Sequence, residues 1–186
     1  CIVGSLKKEI PPGSLVLFDQ FVNLTWGRDD STEADEGSFV HLPMGEPYCQ
    51  SLRQKVLAVA STTGTIIVPR GTVAVIQGPR FSTIAESQWF SANGWDVVNM
   101  TQYPECYFAR ELGLCYAAIA TVTDYDVGLQ EDLVINPRCM DAVLDIFKNN
   151  IQKTKVFLLA FIESLVVNFS CKCASTTFKA YYEESL

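Results

Sequence analysis

The segment Leu114-Cys115-Tyr116-Ala117-Ala118-Ile119-Ala120-Thr121-Val122-Thr123, followed by Asp124-Tyr125-Asp126, decides the fold class. Its ten-residue apolar run predicts a strand over 114–123 covered on both faces, the profile of a sheet sandwiched between helix layers. The two carboxylates emerge where that strand ends. In open α/β sheets a ligand lies beyond the carboxyl ends of the strands.

The rest of the chain alternates in the same way. Ser14 to Val22 is rich in β-formers, after the turn Pro11-Pro12-Gly13. Cys49 to Thr63 repeats apolar residues at helical spacing, and Gly64 supplies a left-handed stop. Thr65–Val68 and Gly71–Gln77 read as strands, and Thr83-x-x-Glu86 reads as a capping box opening a helix that ends near Asn93-Gly94. Asp96–Met100 is a buried strand, Pro104 opens a helix closed by Gly113, and a long helix is expected over about 137–168. These elements predict one α/β domain over 1–186, with a mostly parallel or mixed central sheet flanked by helices and a tail over 170–186.

Composition narrows the function. The 186 residues carry 48% hydrophobic and 19% charged side chains and a formal net charge of −7. Disorder is excluded, and a nucleic-acid partner is not expected without a basic stripe to meet phosphates. The longest apolar stretch, Val156–Phe169, is short for a membrane span and contains Glu163, Ser164 and Asn168. Seven scattered cysteines suit reduced thiols in the cytosol. Cys171-Lys172-Cys173 lacks a second ligand pair nearby in sequence, so no metal site is expected. Arg28–Glu36, with five acidic residues in nine, reads as a solvated loop.

Three strand-end loops carry candidate chemistry. Gly78-Pro79-Arg80-Phe81-Ser82-Thr83 places a ring, hydroxyls and a guanidinium at a helix N-terminus. There Phe81 either stacks on a planar base or staples the helix. Asn99-Met100-Thr101 precedes a helix whose N-terminal field favours an anion on Thr101. Strand alternation puts Asp124 and Asp126 on one face, where like charges raise a pKa and make a proton donor; a turn or capping role is the alternative. His41, the single histidine, has no nucleophile placed beside it by the sequence.

These motifs in their order, together with Gly4-Ser5-Leu6, Asp19-Gln20-Phe21 and His41-x-Pro43-Met44-x-Glu46-Pro47, resemble the methylthioadenosine phosphorylase branch of the trimeric purine nucleoside phosphorylases. The resemblance extends to about Leu159. It implies a pentosyltransferase of purine and methionine salvage, cytoplasmic (nuclear too in a eukaryote), which splits 5′-methylthioadenosine with phosphate into adenine and 5-methylthioribose 1-phosphate. It further implies that Asp124 donates to purine N7, that Asp126 supports the base edge, and that Phe81 and Ser82 line the base pocket. Asn99 and Met100 would meet the nucleoside and Thr101 the phosphate. His41 would reach a neighbouring subunit's 5′ pocket in a homotrimer, with Met140 and Val143 closing that pocket. No metal or organic cofactor is implied; phosphate is a co-substrate. Cys171-x-Cys173 matches a C-x-C of prokaryotic members, a disulfide in heat-adapted ones.

The departures set further expectations. The chain starts at Cys1-Ile2-Val3-Gly4 without an initiator Met, and the family's N-terminal third, with its phosphate-gripping loop and Arg-His pair, has no counterpart in it. The expected fold therefore lacks the family's N-terminal strands. The base half of the site is expected without most of the phosphate half. A non-catalytic homologue and a phosphorylase of 6-oxopurine nucleosides are the alternatives. Asp124 weighs against the latter, since a carboxylate matches the N–H donors of a 6-amino purine.

Overall fold

The computed structural model describes residues 1–29, 38–129, 138–165, 170–175 and 178–181; of 38–40, 138–147, 149 and 178–181 it describes the backbone alone. In chain order the elements are β1 (Ile2–Ser5), β2 (Leu15–Leu17), β3 (Gln20–Leu24), β4 (Ser38–His41), α1 (Gln50–Thr63), β5 (Ile67–Val68) and β6 (Thr72–Ile76). There follow α2 (Ile84–Ala92), β7 (Val97–Asn99), α3 (Gln102–Glu111), β8 (Ile119–Tyr125), α4 (Arg138–Ser164) and β9 (Phe178–Tyr181). Seven strands form one mixed sheet in the order β3-β6-β7-β1-β8-β2-β5, and β4 pairs with β9 in a separate ribbon. Parallel pairing joins β3–β6, β6–β7, β1–β8 and β2–β5; β1–β7 and β2–β8 are antiparallel.

Local chemistry sets the element ends. Gly64 closes α1 at φ 68°, the left-handed position where a side chain is disfavoured. Thr83 and Glu86 exchange both bonds of a capping box at the start of α2. Tyr103 is extended (φ −111°, ψ 134°), as the residue before a proline prefers, so the regular part of α3 begins at Pro104. Two strand boundaries differ most from the sequence reading, which also does not mark β1, β4 or β9. The expected Ser14–Val22 strand is split into β2 and β3. The expected 114–123 strand begins only at Ile119 and runs on to Tyr125, because residues 113–118 are held by α1, α3 and the segment after α4 instead of by a neighbouring strand.

Strand alternation distributes the core to two faces. Val73, Val75, Val97, Val3 and Val122 pack with Tyr103 and Cys106 of α3. Ala74 and Val98 face Phe90 of α2, while Leu17 and Ile119 meet Val56, Ala60, Phe157 and Phe161 of α1 and α4. Register pairs of β2, β8, β1 and β7 put α1, α2 and α4 on one side and α3 on the other. Among the described residues no helix is long and apolar enough to cross a membrane.

Phe90 is 2% exposed and its ring stacks on Trp95 at 5.7 Å. Phe90→Ala is expected to cost about 3–5 kcal/mol and to loosen α2 from the sheet. Urea unfolding measures that loss; a cost near zero contradicts this packing.

Candidate functional site

The carboxyl end of β8 is shaped by a slip in its pairing. Val3 opposes Val122, yet the next residue, Gly4, opposes Asp124. Thr123 is thus the extra residue of a bulge, and a bulge re-aims the side chains beyond it. Val122 faces the α3 side, whereas Asp124 Oδ2 lies 3.6 Å from where a Cβ on Gly4 would stand, beside Val98 on the α2 side. Asp126 Cβ lies at the same 3.6 Å. Both carboxylates therefore stand over Gly4, with the Asp126 N–H held by the Ser5 carbonyl at 2.8 Å.

Burial sets their chemistry. Desolvation pushes the Asp124 carboxyl above its ordinary pKa, the Thr123 hydroxyl donating at 2.7 Å pulls it back, and the Asp126 charge raises it further. Asp126, 7% exposed, is raised mainly by burial against the opposing pull of Ser87 and Ser82. Among the described residues, Ser82 Oγ and Asp126 Oδ2 nevertheless have no partner of good hydrogen-bonding geometry. Two buried polar atoms close to one another are suited to an incoming donor–acceptor edge.

The loop before α2 is held from outside. Arg80 makes a bidentate pair with Glu86 (2.7 and 2.8 Å). That pair, with the Thr83 N–H, holds the Glu86 carboxyl at about 2. The guanidinium is therefore engaged within its own loop. Phe81 is 69% exposed, which removes the staple reading and leaves its ring free to stack. Gly78, at φ 64°, touches Met100: a Cβ there would come within 2.7 Å of Sδ. Beside this contact lies a hollow of about 260 Å³ bounded by Trp26, Ile76, Gln77, Gly78 and Arg80.

The remaining sequence candidates are dispersed. Asn99 is buried with Oδ1 unpartnered, and Thr101 is exposed at the start of α3, its hydroxyl making no capping bond. His41 is exposed in the β4–β9 ribbon, apart from the seven-stranded sheet. The side chains of Met140 and Val143 lie outside the described residues.

Three features escaped the sequence reading. Ser87, fully buried, accepts from the Gly128 N–H at 2.9 Å and faces Asp126; a small polar residue on the inner face of the first turn of α2 was the available signal. Arg28, expected in a solvated loop, instead donates to the carbonyls of Ile76, Gln77 and Tyr103; most of that acidic run lies outside the described residues. The second thiol pair missing near Cys171 and Cys173 comes from Cys49 and Cys115, distant in sequence. Sequence spacing around Cys171 and Cys173 carries no sign of that second pair.

A buried and a half-buried carboxylate at a strand end, hydroxyls at a helix N-terminus and an exposed aromatic ring are groups with the chemistry to meet a flat, hydrogen-bonding ring. The Phosphorylase superfamily model matches residues 1–163. The chain is 44% identical over 172 residues to the S-methyl-5′-thioadenosine phosphorylase of Mycolicibacterium smegmatis, covering 92% of this chain and 62% of that protein. It is 37% identical to a probable 6-oxopurine nucleoside phosphorylase of Dictyoglomus turgidum, covering 99% of this chain and 68% of that one. The structure of the Schistosoma mansoni methylthioadenosine phosphorylase with adenine superposes at TM-score 0.79 and 34% identity, over 87% of this chain and 62% of the other. The chain belongs to the phosphorylase superfamily, and its sheet has the nucleoside phosphorylase fold. It spans about three-fifths of the length of the methylthioadenosine phosphorylases of Mycolicibacterium smegmatis and Schistosoma mansoni.

The raised carboxyls have a consequence for stability. Each binds its proton more tightly in the folded than in the unfolded chain. Their contribution is therefore fully present below the ordinary carboxylate pKa and is lost as pH rises through the raised folded value. Asp126→Asn is expected to raise the melting temperature at neutral pH, with the gain shrinking in acid. A loss of stability at neutral pH would contradict a pKa raised by burial.

Proposed function

We propose that the protein carrying this chain is a cytosolic pentosyltransferase that splits 5′-methylthioadenosine with phosphate. The products would be adenine and 5-methylthioribose 1-phosphate. The observation that carries this reading is the Asp124 carboxyl, raised by burial beside Asp126 at the end of β8. As the N-glycosidic bond lengthens, the ribose becomes cationic at C1′ and negative charge collects on the purine. A protonated Asp124 donating to N7 stabilises that leaving group, and general-acid help of this kind contributes roughly 10²–10⁴-fold. Asp126, backed by Ser82 and Ser87, accepts from the base edge, and Phe81 covers one face of the ring. Asn99 and Met100 meet the nucleoside, and Thr101 contacts phosphate at the N-terminus of α3, where free N–H groups favour an anion. One hydroxyl and one helix end do not hold a doubly charged phosphate against water. The remaining phosphate ligands and a homotrimeric partner contributing to the 5′ pocket, including His41 across the boundary, complete the proposed enzyme.

The 6-oxopurine reading has one observation behind it, the 37% identity to the probable 6-oxopurine nucleoside phosphorylase of Dictyoglomus turgidum. Asp124 separates the two. A carboxylate accepts from the 6-amino group of adenine and meets the O6 of a 6-oxopurine as a repelling acceptor. In a phosphate-dependent base-release assay, Asp124→Asn is expected to lower turnover of 5′-methylthioadenosine roughly 10²-fold and to shift preference towards inosine. Unchanged substrate ratios contradict the assignment of Asp124, and release independent of phosphate contradicts phosphorolysis.

A further inference from the structure

Four cysteines converge away from the carboxylate site. The Sγ atoms of Cys49, Cys115, Cys171 and Cys173 all lie within 4.8 Å of one another, and Cys115 Sγ and Cys171 Sγ are 3.0 Å apart. These four residues come from three separate segments, and the fold builds their meeting from backbone contacts. The Cys49 N–H donates to the Tyr116 carbonyl at 2.8 Å, tying the start of α1 to the lead-in of β8. Gly113, at φ 67°, turns the chain out of α3 so closely against the next segment that a Cβ there would stand 3.1 Å from Ala174 Cα. That contact brings the turn Cys173–Ser175 against the same lead-in. Cys49 and Cys173 are buried, and Cys115 and Cys171 partly so.

We infer that these four thiolates form a tetrahedral site for a thiophilic divalent cation, zinc being the ion whose chemistry fits. Zinc bonds sulfur at about 2.3 Å, which places the sulfurs of a tetrahedron about 3.8 Å apart. The observed spacings bracket that edge. The set is all sulfur, the donor class that selects zinc over hard oxygen-seeking ions. Backbone N–H groups already point at two of the sulfurs. Leu52 N–H lies 3.4 Å from Cys49 Sγ at the N-cap of α1, and the Cys173 N–H donates to Cys171. N–H groups so placed are the partners that metal-bound sulfurs accept from. Binding releases the thiol protons to solvent as four Zn–S bonds form, without oxidation or reduction. The ion would fasten the segment after α4 to the cap of α1 and to the strand carrying Asp124, so its free energy of binding adds to that of folding.

The competing chemistry is oxidation of the same four thiols to two disulfides, and one set of measurements separates them. The full chain is purified under reducing conditions, dialysed and analysed for metal by mass spectrometry; a second sample is stripped and reconstituted with Co²⁺. One zinc per chain is expected, together with four thiols shielded from a thiol reagent until a chelator is added. The Co²⁺ form should show the charge-transfer and visible bands of a tetrahedral tetrathiolate. Cys115→Ser and Cys171→Ser should each lose most of the metal, while Cys1→Ser, outside the cluster, keeps it. The Co²⁺ spectrum of the unsubstituted chain needs no variant, so misfolding of a Ser variant leaves the test intact. Failure of the reduced chain to take up metal overturns the proposal, as does metal content unchanged in both cluster variants. Isolation of the chain with two disulfides whose reduction yields four freely reactive thiols overturns it as well.

Discussion

β1 and β8 lie side by side in the middle of the sheet, and the parallel ladder between them slips by one residue where Thr123 is inserted. Without the slip, Asp124 would follow Val122 onto the α3 side, into a core of valines and aromatic rings. Burial of an ionisable carboxyl among those apolar side chains would be costly. The bulge turns it onto the α2 side instead, where Gly4 leaves room above β1 and the Thr123 hydroxyl reaches back to it. Gly4 matters for the space it leaves and not for an unusual backbone angle. One extra residue in one strand thus decides which side of the sheet holds the site.

The same arrangement carries a cost for the fold. Two carboxyls raised by burial oppose folding at neutral pH. The surrounding groups offset part of that cost. Ser82 and Ser87 face Asp126, and the Ser87–Gly128 bond fixes the turn after β8 against α2. A Cβ on Gly128 would fall 2.6 Å from Ser87 Oγ, so the turn and the helix are as close as backbone and side chain allow. The exposed Arg80–Glu86 pair holds the loop before α2 from outside, which leaves Ser82 facing inwards. Groups that would serve the base edge and groups that hold the fold are therefore largely the same ones.

Much of this was legible in the chain because it follows from local chemistry. Gly64, the Thr83–Glu86 box and Pro104 mark their helix ends by rules that act within a few residues. The carboxylates after an apolar run mark the strand end in the same way. What could not be read is what depends on partners distant in sequence. The register slip is a property of two strands about 120 residues apart, and period-two alternation along β8 alone assigns Asp124 to the wrong side while still pairing it with Asp126. Arg28 was assigned to solvent because its neighbours are acidic, yet its guanidinium satisfies three backbone carbonyls at strand and helix ends. The strand expected from Leu114 began five residues late because apolar character does not distinguish a strand from a segment packed between helices.

The late start of β8 is itself informative. Residues 113–118 belong to no strand, Gly113 being left-handed, and their backbone groups are taken up elsewhere: Leu114 N–H by Ala109, Tyr116 carbonyl by Cys49, Ala118 carbonyl by Phe18. A segment held by such scattered bonds has less cooperative support than a ladder. It nevertheless leads directly into the strand whose far end places both carboxyls. Three of the four clustered cysteines belong to the segments that hold this lead-in, and the fourth is Cys115 within it. A tie at that point restrains β8 from the end opposite the site. The bulge fixes which way Asp124 turns, and the thiol cluster is placed where it can fix how firmly the strand beneath it is held.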